Sequence, residues 1–251
     1  MTFTNSERRR ASAPDGVRLY AIGDIHGRFD LLDALLVRIE RDQRGRAEMP
    51  VRLIFLGDYV DRGPDSKGVV DRLVQGFSRP YTAVFLKGNH EDMLLSFLAD
   101  PLAGVNWLRN GGEATLLSYG VEAGVVQCAF WEGQQGLTEA ARQFQAVLPA
   151  AHLDFYKSLR TFYRMGDYFF THAGVRPEAP LDQQSENDLL WIRKDFLNWR
   201  GDFGAVVVHG HTPSREPQDL GNRIGLDTFA VRSGRLTAAG FEGSKRWFLS
   251  T

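Results

Sequence analysis

An α/β fold with its polar groups gathered along one sheet edge is what this 251-residue sequence predicts, on three observations. Short β-rich apolar runs alternate with stretches of helical periodicity in the N-terminal part, the pattern of crossover units around a buried, largely parallel sheet. A polar cluster follows each of these runs directly. Composition is that of an ordinary globular chain, with 43% hydrophobic and 24% charged residues, long enough for one domain to bury a substantial core.

The elements follow in order. Residues 17–22 are the first predicted strand; Gly23-Asp24-Ile25-His26-Gly27 and a helix from Phe29 come next. In that helix Phe29, Leu32, Leu36 and Ile39 recur at helical spacing with Asp33, Arg38 and Glu40 between them, a core-packing stripe. The unit repeats as a strand at 52–56, a loop at 57–65 and a helix over about 66–77, then as a strand at 82–86 and a helix over about 90–98. From about 101 to 164 the strand signal fades, and residues 137–147 and 152–164 look helical, so 101–164 is expected as a helical insertion. Strand character returns at 168–170, at 205–208 and in short pieces over 224–249 separated by Gly234, Gly240 and Gly243, expected as an antiparallel edge. No repeat or proline-rich linker marks a boundary, so 1–251 reads as one domain, with 1–16 as a flexible arm.

Charge and cysteine content narrow the partners. Lysine plus arginine number 30 against 31 aspartate plus glutamate, so no global field favours nucleic acid. No run approaches the roughly 18 apolar residues of a membrane span, so no membrane partner is expected. Arg8, Arg9 and Arg10 have no apolar run after them, unlike a signal peptide. Cys128 is the single cysteine, expected as a small core residue; no internal disulfide and a cytoplasmic location are the expectations.

The chemistry sits in the clusters after the strands: Asp24 with His26, Asp58 with Asp61 and Arg62, Asn89 with His90, then His172, then His209 with His211. A lone aspartate there is often a helix cap and a lone histidine a core residue. Yet five of the six histidines fall inside these clusters, and only His152 lies outside. Strand ends of a parallel sheet are where ligand-binding groups converge. Oxygen and imidazole donors without thiolates suit Mn, Fe or Zn at a catalytic centre, and the set exceeds what one ion needs. A carboxylate such as Asp58 is able to bridge two ions, and ions about 3.5–4 Å apart share a water that becomes hydroxide near neutral pH.

Five ordered blocks resemble the signatures of the PPP-type metallophosphatases: Gly23-Asp24-Ile25-His26-Gly27, Gly57-Asp58-Tyr59-Val60-Asp61-Arg62-Gly63, Gly88-Asn89-His90-Glu91, His172-Ala173-Gly174 and Gly210-His211-Thr212-Pro213. The resemblance implies a calcineurin-like α/β fold, a β-sandwich flanked by helices with a helical insertion. It implies Asp24, His26 and Asp58 at a first divalent ion and Asp58, Asn89, His172 and His211 at a second, with His90 as general acid and Asp61 orienting it. Arg62 and Arg193 fall where the family binds phosphate, and His209 falls where the family places no ligand. Lys87 before the third block, and the segments 107–112 and 222–227, look like bacterial and phage members, although those commonly have glycine where this chain has Phe229.

Three functions compete at this level. The first is a Ser/Thr protein phosphatase that uses a two-metal-bridged hydroxide, Mn the expected ion, on phosphorylated proteins or peptides and small phosphate esters. The second is a dinucleoside polyphosphate hydrolase such as a diadenosine tetraphosphatase, whose symmetric members lack the Asp61 equivalent and carry aspartate where this chain has Glu91. The third is a noncatalytic module, which predicts eroded ligands. A thiol phosphatase is excluded, because Gln134 stands where its Cys-x5-Arg loop requires arginine after Cys128.

Overall fold

The computed structural model describes residues 11–251. Two five-stranded sheets form its centre, the sandwich that the family resemblance implied, where strand-helix alternation by itself pointed to one largely parallel sheet. The strands are β1 (Arg18–Ile22), β2 (Val51–Phe55), β3 (Tyr81–Phe85), β4 (Phe162–Met165), β5 (Tyr168–Thr171), β6 (Val206–His209), β7 (Gln218–Asp219), β8 (Arg223–Gly225), β9 (Thr237–Glu242) and β10 (Lys245–Ser250). The first sheet runs β10-β9-β1-β2-β3, with β1, β2 and β3 parallel and β9 and β10 antiparallel at one side. The second runs β4-β5-β6-β8-β7, with β5, β6 and β8 parallel.

The alternation of side chains along each strand makes this a sandwich. Leu19 and Ala21 of β1 and Ile54 of β2 meet Tyr168, Phe170, Val206 and Val208 of the second sheet in one buried cluster. Their neighbours Tyr20, Ile22, Leu53 and Phe55 face outward into a larger core, covered by α1 (Phe29–Arg44) and α2 (Ser66–Val74) and by the helices after α3 (Asn89–Ala99). Those helices are α4 (Gly104–Trp107), α5 (Glu113–Ser118), α6 (Ala123–Trp131), α7 (Gly133–Val147) and α8 (Ala150–Ser158). The outer face of the second sheet, Phe169 and Val207, is covered by α9 (Glu186–Trp191) and α10 (Lys194–Asn198); a short α11 (Ala230–Ser233) precedes β9. Both faces of each sheet are buried, which is why its central strands read as nearly continuous apolar runs.

Several expectations are corrected. The insertion is helical to Ser158, but Phe162–Met165 is a strand that pairs with β5, because the aromatic and β-branched run Thr161-Phe162-Tyr163 leads to a turn at Gly166 and covers an otherwise open edge. Arg223–Gly225 lies parallel beside β6 and is not part of the antiparallel edge formed by β9 and β10. The arm expected over 1–16 is only partly within the described residues. Of these, Ala13 is buried with its N–H on the Gly243 carbonyl, and the Ser12 N–H donates to Asp167. Cys128 is half-buried on α6, not in the core.

Candidate metal centre and phosphate cleft

Every predicted site residue but Arg193 follows the C-terminal end of a parallel strand. Asp24 and His26 follow β1, Asp58, Asp61 and Arg62 follow β2, and Asn89 and His90 follow β3. From the other sheet come His172 after β5 and His211 after β6. Two glycines permit the approach. A Cβ on Gly88 would lie 2.1 Å from Asp58 Oδ1, and one on Gly210 would lie 1.9 Å from Asp24 Oδ1.

Asp58 is at the middle, buried to 2% exposure. It belongs to two groups whose ligand atoms lie within 4.8 Å of one another: His26, Asp58 and His90, and Asp58, His172 and His211. His26 Nε2 is 3.4 Å from Asp58 Oδ2, and His172 Nε2 is 3.4 Å from Asp58 Oδ1. Asp24 lies outside both groups and accepts from the His211 N–H at 2.9 Å.

The donor set fits divalent ions. The ring nitrogens His26 Nδ1 and His172 Nδ1 donate to the carbonyls of Val60 and Leu56, at 2.8 and 2.9 Å, which leaves each Nε2 as a lone pair aimed into the centre. His172 Nε2 then faces Asn89 Oδ1 at 2.9 Å and His211 Nδ1 at 3.2 Å, acceptors crowded together in the manner a cation resolves. His211 Nε2 is buried without a hydrogen-bond partner. Burial, then the neighbouring His90, pushes His26 down to about 3; burial, then His172, pushes His211 down to about 2. Neutral imidazole is the ligand form. Burial alone would raise the Asp58 carboxyl, but the imidazoles of His172, His90, His26 and His211 outweigh it and hold it far below the usual carboxylate range.

Beside this centre His90 Nδ1 is 2.6 Å from Asp61 Oδ2. Burial opposes a charge on His90, yet the carboxylates of Asp58 and Asp61 prevail and raise its pKa. The Arg62 guanidinium spans two rings, with Nη1 at 2.8 Å from His26 Nε2 and Nη2 at 2.8 Å from His90 Nε2. A cleft of about 620 Å³ opens here, lined by Asp58, Asn89, His90 and His211 together with Arg62 and Arg193. Arg193 has no ion pair among the described residues; Asp195, two positions on, pairs with Arg176. His209 is turned away from the cluster against Phe196, ring centroids 4.9 Å apart. His152 bonds Tyr119 and Asp71 inside the helical layer.

Three residues of the site escaped sequence reasoning. Glu91 accepts four backbone N–H groups, from Asp58, Tyr59, Val60 and Gly88, and so fixes the turn that carries Asp58. Trp107 and Thr115 both donate to Asp61. Glu91 stood in a recognised block and Trp107 at the start of the segment 107–112 that resembles bacterial and phage members, but neither was given a role, and Thr115 carried no signal.

Fold and site together define a metal-dependent hydrolase of the phosphoesterase superfamily. Residues 17–239 match the family described as Calcineurin-like phosphoesterase, and the chain belongs to it; such enzymes use divalent metals. It is 30% identical over 236 residues to serine/threonine-protein phosphatase 1 of Salmonella typhimurium, covering 92% of this chain and 95% of that one. It is 28% identical over 238 residues to the asymmetrical bis(5'-nucleosyl)-tetraphosphatase PrpE of Anoxybacillus flavithermus, covering 86% and 87%. Among solved structures, a putative diadenosine tetraphosphatase superposes with a TM-score of 0.63 at 25% identity, covering 95% of this chain and 98% of that one.

Proposed function

We propose that this hydrolase is a phosphomonoesterase acting on phosphoserine or phosphothreonine in proteins. The observation that carries the reading is the buried His90–Asp61 pair, 2.6 Å apart, at the mouth of the cleft beside Asp58. A serine or threonine alkoxide is a poor leaving group and needs a proton as the bond to phosphorus breaks. A nucleoside phosphate leaving from an anhydride is already a stable anion and needs none. A held general acid is therefore of most use on an alkyl monoester.

Asp24, His26 and Asp58 would hold one ion and Asp58, Asn89, His172 and His211 a second, with Mn the proposed metal and Fe or Zn accepted by the same donors. Two divalent ions supply, when bound, an activated water as nucleophile. The chain's own groups do the rest. Arg62 and Arg193 grip the phosphate oxygens with planar, permanently charged forks and offset the charge on the group in transfer. Asp61 holds the His90 ring through Nδ1, and with Arg62 drawn from Nε2 onto the phosphate, a protonated Nε2 is left to deliver the proton to the departing oxygen.

Hydrolysis of dinucleoside tetraphosphates is the second reading, favoured by the similarity to PrpE and by Arg109 and Arg232, which also line the cleft. The deciding experiment is phosphate release with Mn from a phosphothreonine peptide and from diadenosine tetraphosphate, with metal-stripped protein as blank. Peptide turnover well above nucleotide turnover is the expected result; the reverse preference assigns the chain to nucleotides.

A further inference from the structure

We propose that Trp107 and Thr115, at the start of the helical insertion, are positioning residues for the His90–Asp61 pair. Their bonds account for the whole Asp61 carboxylate. Oδ1 accepts from Thr115 Oγ1 at 2.6 Å, while Oδ2 accepts from Trp107 Nε1 at 2.8 Å and lies 2.6 Å from His90 Nδ1. The proton inventory closes, because Thr115 spends its one hydroxyl proton on Asp61 and accepts from the Asp61 N–H and from Ser66 Oγ, at 2.9 and 3.0 Å. With both oxygens engaged on opposite sides, the carboxylate plane has one orientation, and that plane sets the His90 ring.

The donors are themselves immobile. Trp107 is fully buried against Phe97 and Phe144, with ring centroids 5.0 and 6.0 Å away, and a Cβ on Gly112 would strike its ring at 2.6 Å. Between the two donors the same segment also holds the adjacent arginine: the Arg62 N–H donates to the Gly111 carbonyl at 3.1 Å and Arg62 Nε to the Asn110 carbonyl at 3.3 Å. Asp61 and Arg62 both sit at positive φ, 74° and 68°, a conformation that non-glycine residues keep only where the surroundings enforce it. Residues 107–115 enforce it, so this part of the insertion completes the acid side of the site.

The inference rests on His90 as general acid, and the test separates the two. Turnover is measured on phenyl phosphate and on p-nitrophenyl phosphate for Trp107→Phe, Thr115→Val, Thr115→Ser and His90→Asn, and for the first two in the His90→Asn background. Trp107→Phe and Thr115→Val should each lower kcat on phenyl phosphate about tenfold with KM little changed, and lower p-nitrophenyl phosphate turnover far less. Thr115→Ser should restore wild-type behaviour, and neither change should add to the loss in the His90→Asn background. Equal losses on both substrates, a full further loss in that background, or an unaltered kcat for folded Thr115→Val would overturn the inference. Should Trp107→Phe fail to fold, the near-isosteric Thr115→Val decides. If His90→Asn itself falls equally on both substrates, the general-acid reading fails and the positioning role fails with it.

Discussion

Six residues of the site hold positive φ without being glycine: His26, Asp58, Asp61, Arg62, His211 and Phe229, with Glu178 the one other such position among the described residues. Left-handed backbone at bulky side chains costs on the order of 1–3 kcal/mol each, and its concentration here is strain held by neighbours for the sake of side-chain direction. Phe229, at φ 59°, lines the cleft, with the Arg232 guanidinium 5.2 Å from its ring. His209 supplies the pH prediction at this scale. Burial, opposed by the Gly210 carbonyl, pushes its pKa down to about 4. An unfolded histidine takes up a proton near pH 6.5, so below that pH the unfolded state binds more protons and stability falls as the pH drops. Between pH 6.5 and pH 5 the wild type should lose about 1.5 kcal/mol more than His209→Asn in chemical denaturation, before other groups are counted. Parallel pH curves for the two proteins would contradict a buried neutral His209.

Among the elements, α3 does the most to shape the centre, since Asn89 and His90 open it and Glu91, the next residue, reaches back to the β2 loop. Burial and the Asp58 charge push the Glu91 carboxyl up to about 8, while its four N–H donors favour the anion. Glu91→Gln has one acceptor oxygen for two pairs of donors, so two buried N–H groups go unpaired; a loss of about 2–4 kcal/mol in urea unfolding is expected. A loss below about 1 kcal/mol would show that the loop does not depend on this clamp. The strand-loop-helix units were legible in the sequence because burial on both faces of a strand leaves an apolar run with a polar cluster after it. The strand Phe162–Met165 was not, because on this edge the apolar Phe162 is exposed beside half-buried Tyr163, so its residue types do not alternate although its burial does. Trp107 and Thr115 were not either, since their roles depend on where the insertion folds back, which spacing along the chain does not encode.

The whole molecule is a sandwich with its two sheets contributing from opposite sides, and Asp58 is the residue shared between them. His26 and His90 stand with it from the first sheet, His172 and His211 from the second. No helix among the described residues is long and apolar enough to cross a membrane. That these side chains gather was expected from strand-end placement, and their division around one carboxylate was implied by the family resemblance; the two-sheet geometry adds that His26 and His90 approach Asp58 from one sheet and His172 and His211 from the other. Ions held in this way should also stabilise the fold, because ligands bound only by the native state add about 2.7 kcal/mol at a hundredfold excess over Kd. A chelator should therefore lower the melting temperature of the wild type and leave Asp58→Asn nearly unchanged.

The most direct measurement is the metal content of the wild type and of Asp58→Asn after equilibration with Mn, by titration calorimetry and elemental analysis on the folded proteins. Two ions per chain in the wild type, and weakened binding at both places in Asp58→Asn, is the expected result. One ion per wild-type chain, or two tightly held ions in Asp58→Asn, would contradict a centre built around a shared carboxylate.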